Sequence, residues 1–276
     1  MFIMELSIII VNFNTRIAIN NCLDSIYKTI DDIEFEVIVI DNNSSDNSVK
    51  SLDKFKKLQK NFRLIINREN LGFSKANNQG IGISKGKYIL LLNSDTEVKN
   101  GAVNKLLEFA KSRVDAGVVG PKLVNVDGST QDSVMKFPTI GNAVRAFFLG
   151  KPEYFGKHAP QSQNPVEVDA VVGAAFLITP LAIKKLGGLN EKYFFYYEDL
   201  DYCRNVNKFG LKVYYYPDSI VTHIHGLSGK RITDEKNQWR RLIPSSKIYH
   251  GLAKYYLLTM VLWLGQKWQK FVKVIK

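Results

Sequence analysis

Five apolar runs of strand length recur in the first 120 residues, at LSIIIV (6–11), EVIVI (36–40), RLIIN (63–67), YILLL (88–92) and GVVG (117–120). Runs that are apolar at nearly every position suit a parallel sheet covered on both faces, not a half-solvated antiparallel one. The segments between them, around 15–30, 46–60, 73–84 and 100–113, are long enough for helical crossovers. Residues 1–120 are therefore expected to form the doubly wound, nucleotide-binding half of an α/β fold. Beyond them, 125–165 is rich in loop signals, and VVGAAFLI (171–178), EDLDYCRNVNKFG (198–210) and LKVYYYPDSIVTH (211–223) suggest a mixed sheet completing one domain to about residue 230.

Composition narrows the class. With 276 residues, 45% hydrophobic and 23% charged, the chain has the make-up of a folded globular protein. Two cysteines, Cys22 and Cys203, lie far apart and outside any CxxC or Cys/His ligand spacing, which suits a reducing, cytoplasmic setting. The start MFIMELSIIIVNFN lacks the basic n-region of a secretory signal. Net charge is +12, and residues 230–276 hold eleven Lys or Arg against Asp234 and Glu235, so +9 of it sits in the last segment.

Three polar clusters follow predicted strands: Asn12-Phe13-Asn14, Asp41 through Asp46, and Asn93-Ser94-Asp95. Each alone reads equally as a helix cap or turn. Parallel strands bring all three to one sheet edge, where α/β ligands bind, and a polar ligand site is expected there. The glycines of GIGISKG (80–86) fall within a predicted helix and no GxxxxGK[ST] occurs, so a phosphate-cradling glycine turn is not expected. A diphosphate at this edge calls for a divalent cation instead. A strand-end carboxylate suits Mg²⁺ or Mn²⁺.

SIIIVNFN (7–14), VIDNNSSDNS (39–48), NLGFSKANNQG (70–80), LLLNSDT (91–96), FFYYEDLDYCRN (194–205) and HIHGLSG (223–229), in that order, resemble the inverting, metal-dependent glycosyltransferases of family 2, especially the rhamnosyltransferase-like members. The resemblance spans roughly residues 6–230 and implies a GT-A fold, with an acceptor and catalytic-base half at 121–230. It implies that Asn12, Asn14 and Asp41 border the nucleotide, Asp41 accepting from a pyrimidine base, and that Asn70 and Asn77 line the same pocket. Asn93-Ser94-Asp95 stands in place of a DxD metal motif, with Asn93 neutral where many members carry Asp. Asp95 and His223, the latter opening an HxxGxS pattern, would hold the metal.

Asp199 of the Glu198-Asp199 pair matches the catalytic base, and a place at the start of a helix favours its ionised form. Phe194 and Phe195 are expected in the core, and Tyr196 and Tyr197 as an apolar floor for sugar or lipid. The implied donor is a dTDP- or UDP-sugar, with dTDP-rhamnose favoured. The implied acceptor is a polyprenyl-diphosphate-linked or other glycan in cell-surface polysaccharide assembly.

Two readings from other classes compete, a basic nucleic-acid-binding protein and a sugar-nucleotide binder without catalysis. The first lacks any DNA- or RNA-binding motif and has its charge in a tail with an apolar stripe, and the intact Asp199 speaks against the second. The tail, 231–276, reads as a basic amphipathic helical segment whose apolar stretch Tyr255–Gly265 is too short to span a bilayer. Leu252, Tyr256, Met260, Leu264, Trp268, Phe271 and Ile275 form a stripe beside Lys267, Lys270, Lys273 and Lys276. That pattern predicts a helix lying on the anionic inner face of the cell membrane. The alternative is packing on the catalytic domain or on a second copy in a homodimer.

Overall fold

A computed structural model describes residues 4–224 and 238–275. The predicted strands form as β1 (Leu6–Asn12), β2 (Phe35–Asp41), β3 (Phe62–Ile66) and β4 (Tyr88–Asn93), alternating with helices α1 (Arg16–Thr29), α2 (Ser48–Leu58) and α3 (Phe73–Ile83). Their spatial order is β3-β2-β1-β4, all parallel. Register pairs Asn12 with Asp41 and Val11 with Asn93, so the three polar clusters share one strand edge. Gly80 and Gly82 lie inside α3, as their spacing predicts.

The second half enters the same sheet. Strand β5 (Thr96–Val98) follows Asp95 directly, helix α4 (Ala102–Ser112) comes next, and β6 covers Ala116–Val124. Short strands β7 (Val134–Met135), β8 (Lys157–His158) and β10 (Ala170–Val171) make a small second sheet, while β9 (Val166–Val168) pairs with the long strand β12 (Lys212–His223). Strand β11 (Ala175–Ile178) runs antiparallel between β4 and β6, so β6 is not the direct neighbour of β4 that a simple doubly wound half provides. The result is one mixed sheet shared by both halves.

Strand β12 breaks register between Tyr216 and Ile220. Such an irregularity bends and twists a strand, and the last residues of β12 pair with β5, His223 opposite Thr96. Helices α5 (Ile140–Phe148), α6 (Pro180–Leu186) and α7 (Glu198–Lys208) complete the second half, and α8 (Gln238–His250) and α9 (Leu252–Ile275) follow it. Tyr249 of α8 joins the main core cluster. The guanidinium of Arg204 sits 3.8 Å from the centre of the Tyr249 ring and donates to the Tyr249 carbonyl at 3.1 Å.

Candidate active site

At the sheet edge the first two clusters lock together. Asn12 Nδ2 donates to Oδ1 of Asp41 (2.7 Å) and to Ser44 Oγ (3.0 Å), and the Ser44 N–H donates to the other Asp41 oxygen (2.9 Å). Asn14, in the left-handed region at φ 55°, accepts from the Ser45 N–H at 2.7 Å. Asn12 and Asp41 are fully buried. Each Asp41 oxygen thus takes one protein donor, and Asn42 beside it lines the cleft. Asn77 is likewise buried, its amide donating to the Phe73 carbonyl one turn back at 2.9 Å.

Asn42 organises the wall. It donates to Asn70 Oδ1 (3.0 Å) and accepts from Asn67 Nδ2 (2.9 Å), while Asn70 Oδ1 also takes the Gly72 N–H (2.9 Å). Gly72 has φ +84°, and a Cβ on it would stand 2.6 Å from the Phe194 carbonyl. Only glycine suits this turn, where the Phe73 N–H meets the same carbonyl at 2.7 Å. A cleft of about 300 Å³ opens here, with Val11, Phe13, Asn42, Asn70, Asn93 and Ser94 on the strand side. Phe194 and Phe195 line it opposite, together with Lys192 and with Arg241, Pro244, Ser245 and Ile248 of α8. Phe194 is 55% exposed, so the core place expected for it belongs to Tyr193, which is 1% exposed. Tyr197 points instead to α8, where its hydroxyl meets Ser246 Oγ at 3.3 Å. Ser245 Oγ donates to the Phe195 carbonyl at 2.8 Å. Sequence reasoning missed the α8 wall because nothing local in a basic helix says which loop it will cover.

Asp95 and His223 come together through the β5–β12 pairing. The Ile224 N–H donates to the Asp95 carbonyl at 2.8 Å, and His223 Nε2 lies 3.5 Å from Asp95 Oδ1. Gln131, which sequence reasoning also missed, fixes the ring: its Nε2 donates to Asn125 Oδ1 (2.7 Å) and to the His223 carbonyl (3.1 Å), leaving Oε1 to accept from Nδ1–H at 2.8 Å. In the neutral ring Nε2 then turns its lone pair toward Oδ1, a buried carboxylate oxygen with no hydrogen-bond partner. Two acceptors facing each other form a seat for a cation, so the residues fit a divalent metal. Among the described residues no three His, Cys, Asp or Glu side chains converge. Two protein ligands suit a metal whose remaining positions go to water and substrate phosphate. Gly226 and Ser228 of the HxxGxS pattern lie outside the described residues.

Helix α7 presents the acidic pair. Asp199, half-buried, accepts from the Gly173 N–H (3.0 Å) and the Leu200 N–H (2.8 Å). It borders a crevice of about 10 Å³ with Phe73, Leu91 and Gly173. Burial raises its pKa above the ordinary aspartate value, opposed by the charge of Lys157 and by these two hydrogen bonds. Burial, then the charge of Asp199, pushes Glu198 up to about 8. Glu198 Oε2 has no hydrogen-bond partner. Phe73 lines both this crevice and the larger cleft.

A family model described as glycosyl transferase family 2 matches residues 7–177. The chain belongs to glycosyl transferase family 2. This family 2 chain is 28% identical over 214 residues to the low-salt glycan biosynthesis hexosyltransferase Agl10 of Haloferax volcanii, covering 76% of this chain and 64% of that protein. It is 27% identical over 204 residues to the N-acetylglucosaminyl-diphospho-decaprenol L-rhamnosyltransferase of Mycobacterium tuberculosis, covering 68% and 66% respectively. The chain thus spans just under two thirds of the length of these relatives. In three dimensions it is similar to GalNAc-T7 solved with UDP, GalNAc and Mn²⁺, with TM-score 0.66 and 18% identity over 82% of this chain and 44% of that one. The fold is GT-A.

Proposed function

We propose that the protein is an inverting glycosyltransferase that moves a sugar from a nucleoside-diphosphate donor to a lipid-linked or other glycan acceptor in cell-surface polysaccharide synthesis. The observation that carries this reading is the facing pair of acceptors, Asp95 Oδ1 and His223 Nε2, on the same strand edge as the cleft, with Asp199 tied to that edge through the Gly173 N–H and the Asn93–Ala174 backbone bond. The donor's nucleoside fits the cleft against Phe13, Asn70 and Asn93, with Asn12, Asn14, Asp41 and Asn77 shaping the wall from behind. Asp95 and His223 would hold a divalent ion, Mg²⁺ or Mn²⁺, which when bound would supply charge stabilisation to the departing diphosphate.

Asp199 accepts the acceptor hydroxyl's proton as its oxygen attacks the anomeric carbon, so the C–O bond to the acceptor forms while the bond to the diphosphate breaks. A carboxylate whose pKa burial has raised is a stronger proton acceptor, and positioned bases contribute ~10²–10⁴-fold. Rhamnose from dTDP-rhamnose is the sugar this reading favours, supported by the similarity to the mycobacterial rhamnosyltransferase. A polyprenyl-diphosphate-linked acceptor is supported by the same similarity, and on this reading it is met at the inner face of the membrane. Thermal-shift measurements with dTDP, UDP and GDP, each with and without Mn²⁺, test the donor half. One nucleotide at ~100 times its Kd should add ~2.7 kcal/mol of stability, and more with metal than without. No stabilisation by any of them would overturn the reading.

A further inference from the structure

Helix α9 has two apolar faces. One packs inward: Leu258 is buried, and Gly265 lies so close to α5 that a Cβ there would be 2.5 Å from Phe147 Cβ. The other points out. Tyr256, Met260, Trp263, Leu264 and Phe271 recur at helical spacing on the side away from Leu258 and Gly265. Trp263 and Phe271 are each 58% exposed. The Trp268 ring stacks on Phe148 of α5 with centroids 6.5 Å apart, and the exposed Leu149 extends the patch. Contiguous exposed apolar patches mark interaction surfaces.

Charge decides what covers it. Lys267 Nζ stands 5.7 Å from the centre of the Trp263 ring, and Lys247 Nζ stands 5.4 and 5.6 Å from the Tyr255 and Tyr256 rings. Lys254 and Lys270 lie on the same helix, and residues 236–276 contain no Asp or Glu. A second copy meeting this face through a two-fold axis would set lysine against lysine. An anionic bilayer takes both features at once, with the rings at headgroup depth and the ammonium groups among lipid phosphates. Among the described residues no helix is long and apolar enough to cross a membrane.

We infer that the outward face of α9, continued by Phe148 of α5 and by Leu149 just past its end, is a docking surface for an anionic lipid bilayer. Its purpose rests on the lipid-linked acceptor of the proposed function, though binding itself does not require glycosyl transfer. Because α9 is clamped to α5 through Gly265, it acts as a fixed keel and not a loose tether. Only Gly251, at φ 72°, separates it from α8, which walls the cleft. Docking therefore orients the active site relative to the leaflet that carries the acceptor.

Flotation of the full chain with vesicles of phosphatidylcholine alone, and of phosphatidylcholine with phosphatidylglycerol at ~30%, tests this. The wild type should float with the anionic vesicles and be released by high salt. The variant carrying Trp263→Ser and Phe271→Ser should lose at least tenfold in vesicle affinity with unchanged melting temperature, since both side chains are exposed. Lys267→Glu with Lys270→Glu should lose binding to the same vesicles. Failure of the wild type to float at low salt would overturn the inference, as would concentration-dependent dimers abolished by Trp263→Ser and Phe271→Ser without vesicle binding. Nucleotide stabilisation of the same proteins separates the two readings: vesicle binding without it removes the glycosyltransferase proposal and leaves the docking surface.

Discussion

The Gly173 N–H donates to Oδ2 of Asp199 at 3.0 Å, and the next residue, Ala174, accepts the N–H of Asn93 at 2.9 Å. The carboxylate on α7 is thereby tied to the end of β4, from which Asp95 follows two residues later. The two carboxylates share one rigid support, which is what the proposed base and metal site would require.

Asp199→Asn should keep donor affinity and lower turnover by ~10²–10⁴-fold, the usual worth of a positioned base. Steady-state rates beside calorimetry of the nucleotide check this. Near-wild-type turnover would remove Asp199 from the role.

Glu198 predicts a pH effect on stability. Its folded pKa, about 8, lies above the ordinary 4.5, so its contribution is fully present below the ordinary value and lost as pH rises toward the folded one. Glu198→Gln stays neutral throughout. Between pH ~5 and ~9 its melting temperature should fall less than that of the wild type; parallel curves would show that Glu198 is not held protonated.

Asp95→Ala should abolish Mn²⁺ binding while preserving the fold, because the Asp95 Oδ1 it removes has no hydrogen-bond partner and faces only His223 Nε2. His223→Ala should weaken it. Electron paramagnetic resonance of free Mn²⁺ reads both directly, and retained Mn²⁺ affinity in Asp95→Ala would contradict the site.

Asp41→Asn places an amide NH₂ against a donor, Ser44 N–H or Asn12 Nδ2, at a fully buried position. Losing a hydrogen bond to a charged group costs ~1.5–3 kcal/mol. Urea unfolding should show that loss. An unchanged midpoint with reduced nucleotide affinity would instead place the base directly on Asp41.

Much of this was legible in the sequence. The four parallel strands and their polar ends followed from apolar runs and turn chemistry, both local signals. The Asp95–His223 pairing came from resemblance alone, since it depends on a strand of three residues, β5, and on a register shift in β12. Resemblance also put Asn12 and Asp41 at the nucleotide, and their mutual hydrogen bond across β1 and β2 is a long-range contact that no local signal carries. Phe194 was misplaced because an aromatic run carries no mark of which ring faces the core. From Leu252 to Phe271 the stripe predicted on α9 is exposed, but its helix also packs on α5, a double use that one periodicity cannot display.

The most direct measurement is acceptor-dependent release of nucleoside diphosphate from dTDP- and UDP-sugars with Mn²⁺ and a polyprenyl-diphosphate-linked glycan, comparing wild type with Asp199→Asn. The account predicts release by the wild type with at least one donor, dependent on both acceptor and metal, and reduced ~10²-fold or more in the variant. Equal release by both proteins, or release unaffected by EDTA, would contradict it.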